Sequence, residues 1–237
     1  TSEEITIVVK NASERPNEVV IEVGSQQSTD THLPTHVYYG NTFSQQIYTA
    51  DDIASYSSSG EAVDGQIKKI AFHASTENSA TRTIEVYMKN TTKTAFSTST
   101  DWESVSNENL VYSGSVSFVG KSSGWSEVVF TTPFEYEGGN ILLCVNDKTN
   151  SYLNSYPTFY VWTPGGNNAT EYRSMYIYRD NTSYDISTIA GVQGYQKYFV
   201  NYAKFTIEPA VEDDLEPAIP ANLTATAVDH QSTSLTW

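Results

Sequence analysis

Thr83-Ile84-Glu85-Val86-Tyr87-Met88-Lys89 decides the fold. Ile84, Val86 and Met88 fall on one side of an extended chain, and Glu85 and Tyr87 fall on the other. That period of two belongs to a β-strand with one face in a core. The same rhythm extends outward. Residues 66–74 place Ile70, Phe72 and Ala74 together, and residues 5–9, 19–23, 43–48, 110–118 and 126–130 read the same way. Residues 140–146 are apolar on both faces and predict a central strand covered on each side. Residues 158–162, 174–178 and 202–207 complete the set. The connections are rich in Ser, Thr, Asn and Gly, as turns require. One short helix is expected at 50–56, where Thr49 caps and Asp51 and Asp52 favour the N-terminus. The chain is therefore read as all-β: an antiparallel two-sheet β-sandwich of jelly-roll type, with Ile70, Phe72, Ile84, Val86, Leu143 and Val145 in its core.

The 237 residues suffice for one large β domain or two small ones. Tyrosine is abundant, at 17 residues, and suits strands and wet binding surfaces. The net charge of −15 repels a phosphate backbone, so nucleic acid is excluded as a partner. The same acidity is compatible with calcium, whose ligands are oxygens. The single cysteine, Cys144, sits in an apolar run and is read as a core residue. No apolar stretch approaches the roughly 20 residues of a membrane helix, so membrane insertion is not expected. The chain opens on Thr1 without a methionine, and an N-terminus further upstream is expected.

Four segments are expected. Residues 1–23 read as the end of an upstream β module, 24–208 as the sandwich, and 209–219 as an acidic, proline-containing linker. In 220–237, Leu223, Ala225 and Ala227 alternate, a polar turn follows at Asp229-His230-Gln231, and Leu235 and Trp237 alternate again. This hairpin pattern resembles the opening of a fibronectin type III domain, truncated because such a sandwich needs about seven strands.

A set of ordered blocks carries a second resemblance. They include Ser44-Gln45-Gln46-Ile47-Tyr48-Thr49-Ala50, Gly65-Gln66-Ile67 with Ile70-Ala71-Phe72, Thr83-Ile84-Glu85-Val86-Tyr87-Met88, and Phe96 with Asp101-Trp102. Then come Val111-Tyr112-Ser113-Gly114, Gly124-Trp125, Pro133-Phe134-Glu135-Tyr136-Glu137-Gly138 with Asn140-Ile141-Leu142, and Met175-Tyr176-Ile177-Tyr178 with Asp180 and Tyr184. Together they resemble a cleaved-adhesin-like jelly-roll domain of Bacteroidetes surface proteins, relatives of the gingipain-type haemagglutinins. The resemblance implies a jelly-roll sandwich without catalytic activity, a role in adhesion or attachment to glycan-rich surfaces, and bound calcium. The family's binding residues are not mapped onto this chain.

Chemistry is sparse. His32 and His36 have the spacing of a helical metal pair, but Pro34 lies between them in a loop, so a plain loop is favoured. His73 and His230 are isolated. No GxSxG is present and Cys144 lacks an electropositive setting, so a nucleophilic hydrolase is disfavoured. Paired carboxylates remain open, since they need only meet in space. Two oxygen-rich loops could wrap calcium through Asp147, or through Asp180 and Asp185, although Asn and Asp also favour turns for their own reasons. Tyr176 and Tyr178 share one strand face, as do Tyr160 and Trp162. Exposed, these rings could stack on sugars; alternatively they pack under loops or at a module interface.

The reading is an extracellular or cell-surface adhesion and carbohydrate-binding module, non-catalytic, whose partner is a glycan or a host or matrix glycoprotein surface. An accessory domain of a secreted peptidase or glycoside hydrolase, and a structural spacer, are the alternatives.

Overall fold

The computed structural model describes residues 18–60, 63–210, 224–227 and 233–236. Its strands follow the alternation. A four-stranded sheet has the order β1 (Val19–Val23), β13 (Ala203–Pro209), β4 (Gly65–His73), β7 (Trp125–Tyr136). A six-stranded sheet runs β11 (Tyr195–Lys197), β10 (Ser174–Arg179), β3 (Asn41–Tyr48), β8 (Asn140–Asp147), β5 (Ala80–Thr91), β6 (Leu110–Phe118). Neighbouring strands in both sheets pair antiparallel. A small third sheet joins β12 (Val200–Asn201), β9 (Phe159–Trp162) and β2 (Ser28–Asp30).

The two large sheets pack as a sandwich. Ile70 and Phe72 of β4 and Phe205 and Ile207 of β13 meet Ile84 and Val86 of β5 and Leu143 and Val145 of β8 in one buried cluster. All six expected core residues are in it. Each such side chain, taken wholly from water, contributes about 1.5–3 kcal/mol. A second apolar layer covers the other face of the six-stranded sheet. There Phe43, Leu142, Cys144, Met175 and Ile177 are roofed by Phe96, Trp102 and Ile189 from connecting segments. This is why β8, lying between β3 and β5, is apolar on both faces. Cys144 is buried, and its burial pushes the thiol well above its ordinary range, so it behaves as a core residue.

The expected helix forms as α1 (Ala50–Tyr56), with a Thr49–Asp52 capping box. One boundary differs from expectation. β1 pairs along β13 from Val19↔Ile207 to Val23↔Ala203, so the sandwich begins before Gly24 and this strand belongs to it. The expected strand at 5–9, the segment 211–219 of the acidic linker and the turn at 229–231 lie outside the described residues. The expected hairpin forms as β14 (Thr224–Ala227) and β15 (Thr233–Thr236), paired antiparallel with Thr226 opposite Ser234.

Two buried polar ties fix the connecting segments. The Gln46 amide donates to Asn201 Oδ1 at 2.8 Å and accepts from the Asn201 backbone at 2.7 Å, while Tyr48 donates to the Asn201 carbonyl. Arg82 and Asp147, each under 2% exposed, pair at 2.6 Å on the inner face of the six-stranded sheet. No helix among the described residues is long and apolar enough to cross a membrane.

Candidate functional site

The four-stranded sheet covers only part of its larger partner. β10 and β11 extend past it, and the inner face of β10 is met by the segment 30–40. That segment is held by Asp30, whose carboxylate accepts from the backbone of His32 at 2.7 Å and of Leu33 at 3.2 Å. His32 stacks on Tyr176 with ring centroids 4.3 Å apart, and His36 meets the edges of Tyr39 and Tyr178 at 4.9 and 5.0 Å. Both histidines are thus ring partners of tyrosines. Among the described residues no three His, Cys, Asp or Glu side chains converge as a metal site.

The tyrosines stack in turn. Tyr39 lies 4.1 Å from Tyr178, and Tyr178 lies 5.7 Å from Tyr195 with ring planes 7° apart. The Tyr195 hydroxyl beside it, together with burial, pushes the Tyr178 phenol up to about 12, so it is neutral at physiological pH. Tyr195, on edge strand β11, is 54% exposed. Next to Tyr39, Tyr38 also faces water and touches Tyr156 at 5.8 Å. The segment 150–156 is pinned to 37–40 by Asn150 N–H to the Gly40 carbonyl at 2.8 Å and Leu153 N–H to the Val37 carbonyl at 3.1 Å. It adds the exposed Tyr152 and Leu153. A cleft of about 320 Å³ opens beside these rings, lined by Asn150, Tyr152, Asp180 and Asn181. Asn150 and Asn181 both adopt left-handed backbone, which asparagine tolerates and which turns the chain sharply there.

The four expected ring residues therefore divide. Tyr178 joins the exposed tyrosine surface. Tyr176, expected on an open strip, is 4% exposed, because His32 and Tyr195 cover its ring. Tyr160 lies elsewhere, half-buried between His73 at 5.5 Å and the Lys121 ammonium at 5.7 Å. His73 in turn meets Trp125 and Tyr202 on the outer side of the four-stranded sheet. Trp162 is half-buried and packs on the main core and on Tyr56. A Cβ on Gly24 would sit 2.9 Å from that of Trp162, and Gly24 has φ +98°, so only glycine fits beneath this ring.

The three expected calcium carboxylates also stand apart, each engaged by protein donors. Asp147 accepts from Arg82, from the Thr35 hydroxyl at 2.5 Å, and from the backbone and hydroxyl of Thr149. Asp180 accepts from the Gly40 backbone at 2.9 Å. Asp185 caps a short turn by accepting from Ser187. Asp147 ends β8 instead of lying in a loop. The sequence missed Tyr38, Tyr39, Tyr152 and Tyr195; their only signal was the excess of tyrosine.

No family model matches the chain, and no curated protein matches it. Among solved structures, the cysteine protease and lectin-like domains of Cwp84, a surface layer associated protein of Clostridium difficile, align with it at a TM-score of 0.38 and 12% identity. That alignment covers 85% of this chain and 37% of the other.

Proposed function

We propose that this chain is a non-catalytic, extracellular glycan-binding module that acts in adhesion through the tyrosine surface. The observation that carries the reading is the grouping of solvent-facing side chains at one end of the sandwich. Tyr38, Tyr152, Leu153 and Tyr195 are four of the nine exposed large hydrophobic residues among those described. Soluble surfaces rarely gather such residues without a partner. Flat tyrosine rings match the apolar faces of sugars, and their hydroxyls donate and accept. Asp180, Asn150 and Asn181 beside them supply the acceptors and donors that sugar hydroxyls require. A shallow site of this kind is weak alone and gains by repeated display on a surface.

The test is a glycan array probed with the whole chain, followed by titration of the best ligand. Tyr195→Ala and Tyr38→Ala, both at exposed positions, should fold normally and bind at least ten-fold more weakly. An array without a ligand favours a spacer, and binding untouched by both changes places any glycan site elsewhere.

A further inference from the structure

The tyrosine surface lies at the Asn41 and Arg179 ends of the paired strands β3 and β10. At their other end, a cleft of about 440 Å³ opens between the start of α1, Thr94 and the segment 164–171. Arg173, just before β10, lines it. The backbone there is fixed on both sides: the Arg173 N–H donates to the Lys197 carbonyl at 2.8 Å, and the Arg173 carbonyl accepts from the Ile47 N–H at 2.9 Å. The side chain is 6% exposed. A guanidinium carries five N–H groups in a rigid plane. Nη2 donates to the Ile47 carbonyl at 2.9 Å and to the Asp52 carboxylate. Nε is buried without a partner. Nη1 has none either, and unlike Nε it is not enclosed, so it opens on the cleft that the side chain lines. A buried donor without an acceptor marks a place where one is missing.

Asp52 complements it from the other side of the ion pair. Its Oδ2 accepts from Arg173 and from the Thr49 N–H at 2.8 Å. Its Oδ1 has no partner and is not enclosed, and Asp52 lines the same cleft. One buried pair thus presents a donor and an acceptor side by side, both held in place by the fold. The rim says what the ligand is. Asp51 and Glu171 line the cleft, are exposed, and have no cation partner among the described residues. They oppose a carboxylate, sulfate or phosphate, which Arg173 alone would favour. The free N–H groups of Arg173 oppose an ammonium at the same point. What satisfies both is a neutral group that accepts and donates at once, a hydroxyl. Thr94 and Thr170 add exposed hydroxyls to the lining.

We propose that this cleft binds a neutral sugar by two neighbouring hydroxyls, one accepting from Arg173 Nη1 and the other donating to Asp52 Oδ1. The proposal rests on the glycan reading above for the choice of a sugar among polyols, and it adds a second subsite at the opposite end of the strands.

The experiment is titration of the methyl glycosides of D-glucose, D-galactose and D-mannose into the isotope-labelled chain, followed by amide chemical shifts and the Arg173 Nε–H signal. At least one sugar should shift Thr94, Thr170 and Arg173 together. The uronate of the best binder, in which a carboxylate replaces the CH₂OH group, should bind about ten-fold more weakly. Asp51→Asn combined with Glu171→Gln should narrow that gap. Arg173→Met should abolish binding. Because that change also strands Asp52, Thr170→Trp, which fills the cleft from an exposed position, should abolish it too with the melting temperature unchanged. No shift with any of the three sugars, shifts centred elsewhere, or binding untouched by Thr170→Trp would overturn the proposal. A uronate binding as tightly as its neutral parent would overturn the neutral assignment in favour of an anion, and glycerol binding as tightly would overturn the sugar assignment. Tyr195→Ala should leave this titration unchanged, so failure at the tyrosine surface and failure at this cleft are read separately.

Discussion

Replacing Arg82 by methionine should be among the most damaging single changes in this protein. Arg82 is 1% exposed and lies on the inner face of β5, in one row with Ile84, Val86 and Met88. Its Nε donates to Asp147 at 2.6 Å, Nη1 donates to the Ser151 carbonyl at 2.5 Å, and Nη2 donates to the carbonyls of Tyr39 and Gly40 at 2.9 and 3.1 Å. Methionine fills the space of the stem but leaves the Asp147 carboxylate buried without its cation. Removing one partner of a buried pair costs about 3–5 kcal/mol. With a urea dependence of about 2 kcal/mol per molar, the midpoint should fall by about 2 M. The double change Arg82→Met with Asp147→Asn removes the stranded charge and keeps an oxygen for Thr149, so it should lose less than the single change. Equilibrium urea denaturation of wild type, Arg82→Met, Asp147→Asn and the double variant measures all four states. A loss below about 1 kcal/mol for Arg82→Met, the scale of a surface pair, would refute the reasoning. The same guanidinium holds the backbone beside Tyr38 and Tyr152, so glycan binding should weaken in parallel.

Other outcomes are equally definite. Phe72→Ala, at a fully buried ring against Phe118, should cost about 3–5 kcal/mol, and Tyr178→Ala at its half-buried site clearly less; equal losses would mean the faces are wrongly assigned. Burial, reinforced by the neighbouring His32 and opposed by Asp30, pushes the His36 imidazole down to about 4. Its neutral form is the one that folds, so stability present above about pH 6.5 should be lost as pH falls toward 4; denaturation of His36→Phe should show a flatter acid limb, and an unchanged limb would assign the loss to other groups. The calcium expectation narrows to Asp180 and Asp185, because Asp147 is occupied by Arg82. A rise of the melting temperature in millimolar calcium over chelator that Asp180→Asn removes would support it, and no rise retires it.

The sandwich was legible because its rows repeat. Ile84-Val86-Met88 and Ile70-Phe72 each mark one strand face over several residues, and a face marked that often can only be buried. Three strands gave no such mark. Ser28–Asp30, Tyr195–Lys197 and Val200–Asn201 are two or three residues long and mostly polar, and they exist because neighbouring backbone needs partners, not because their own side chains alternate. Arg82 continues the inner row of β5, so a buried charge was implied by position; its partner Asp147, 65 residues away, was not.

Alternation assigns a residue to a face, but it cannot say what covers that face. Tyr176 and Tyr178 were placed correctly opposite Met175 and Ile177, yet one ring is buried and the other half-buried. The difference comes from elements distant in sequence: His32 from the 30–40 segment and Tyr195 from the edge strand close over Tyr176, whereas Tyr178 reaches the end of the strand where Tyr39 and the open cleft begin. The tyrosine surface is thus a product of three connecting segments brought together by the polar ties at Arg82, Asn150 and Asp180. Binding chemistry of this sort depends on loop closure across the sheet end, and a loop carries no periodicity from which closure could be read.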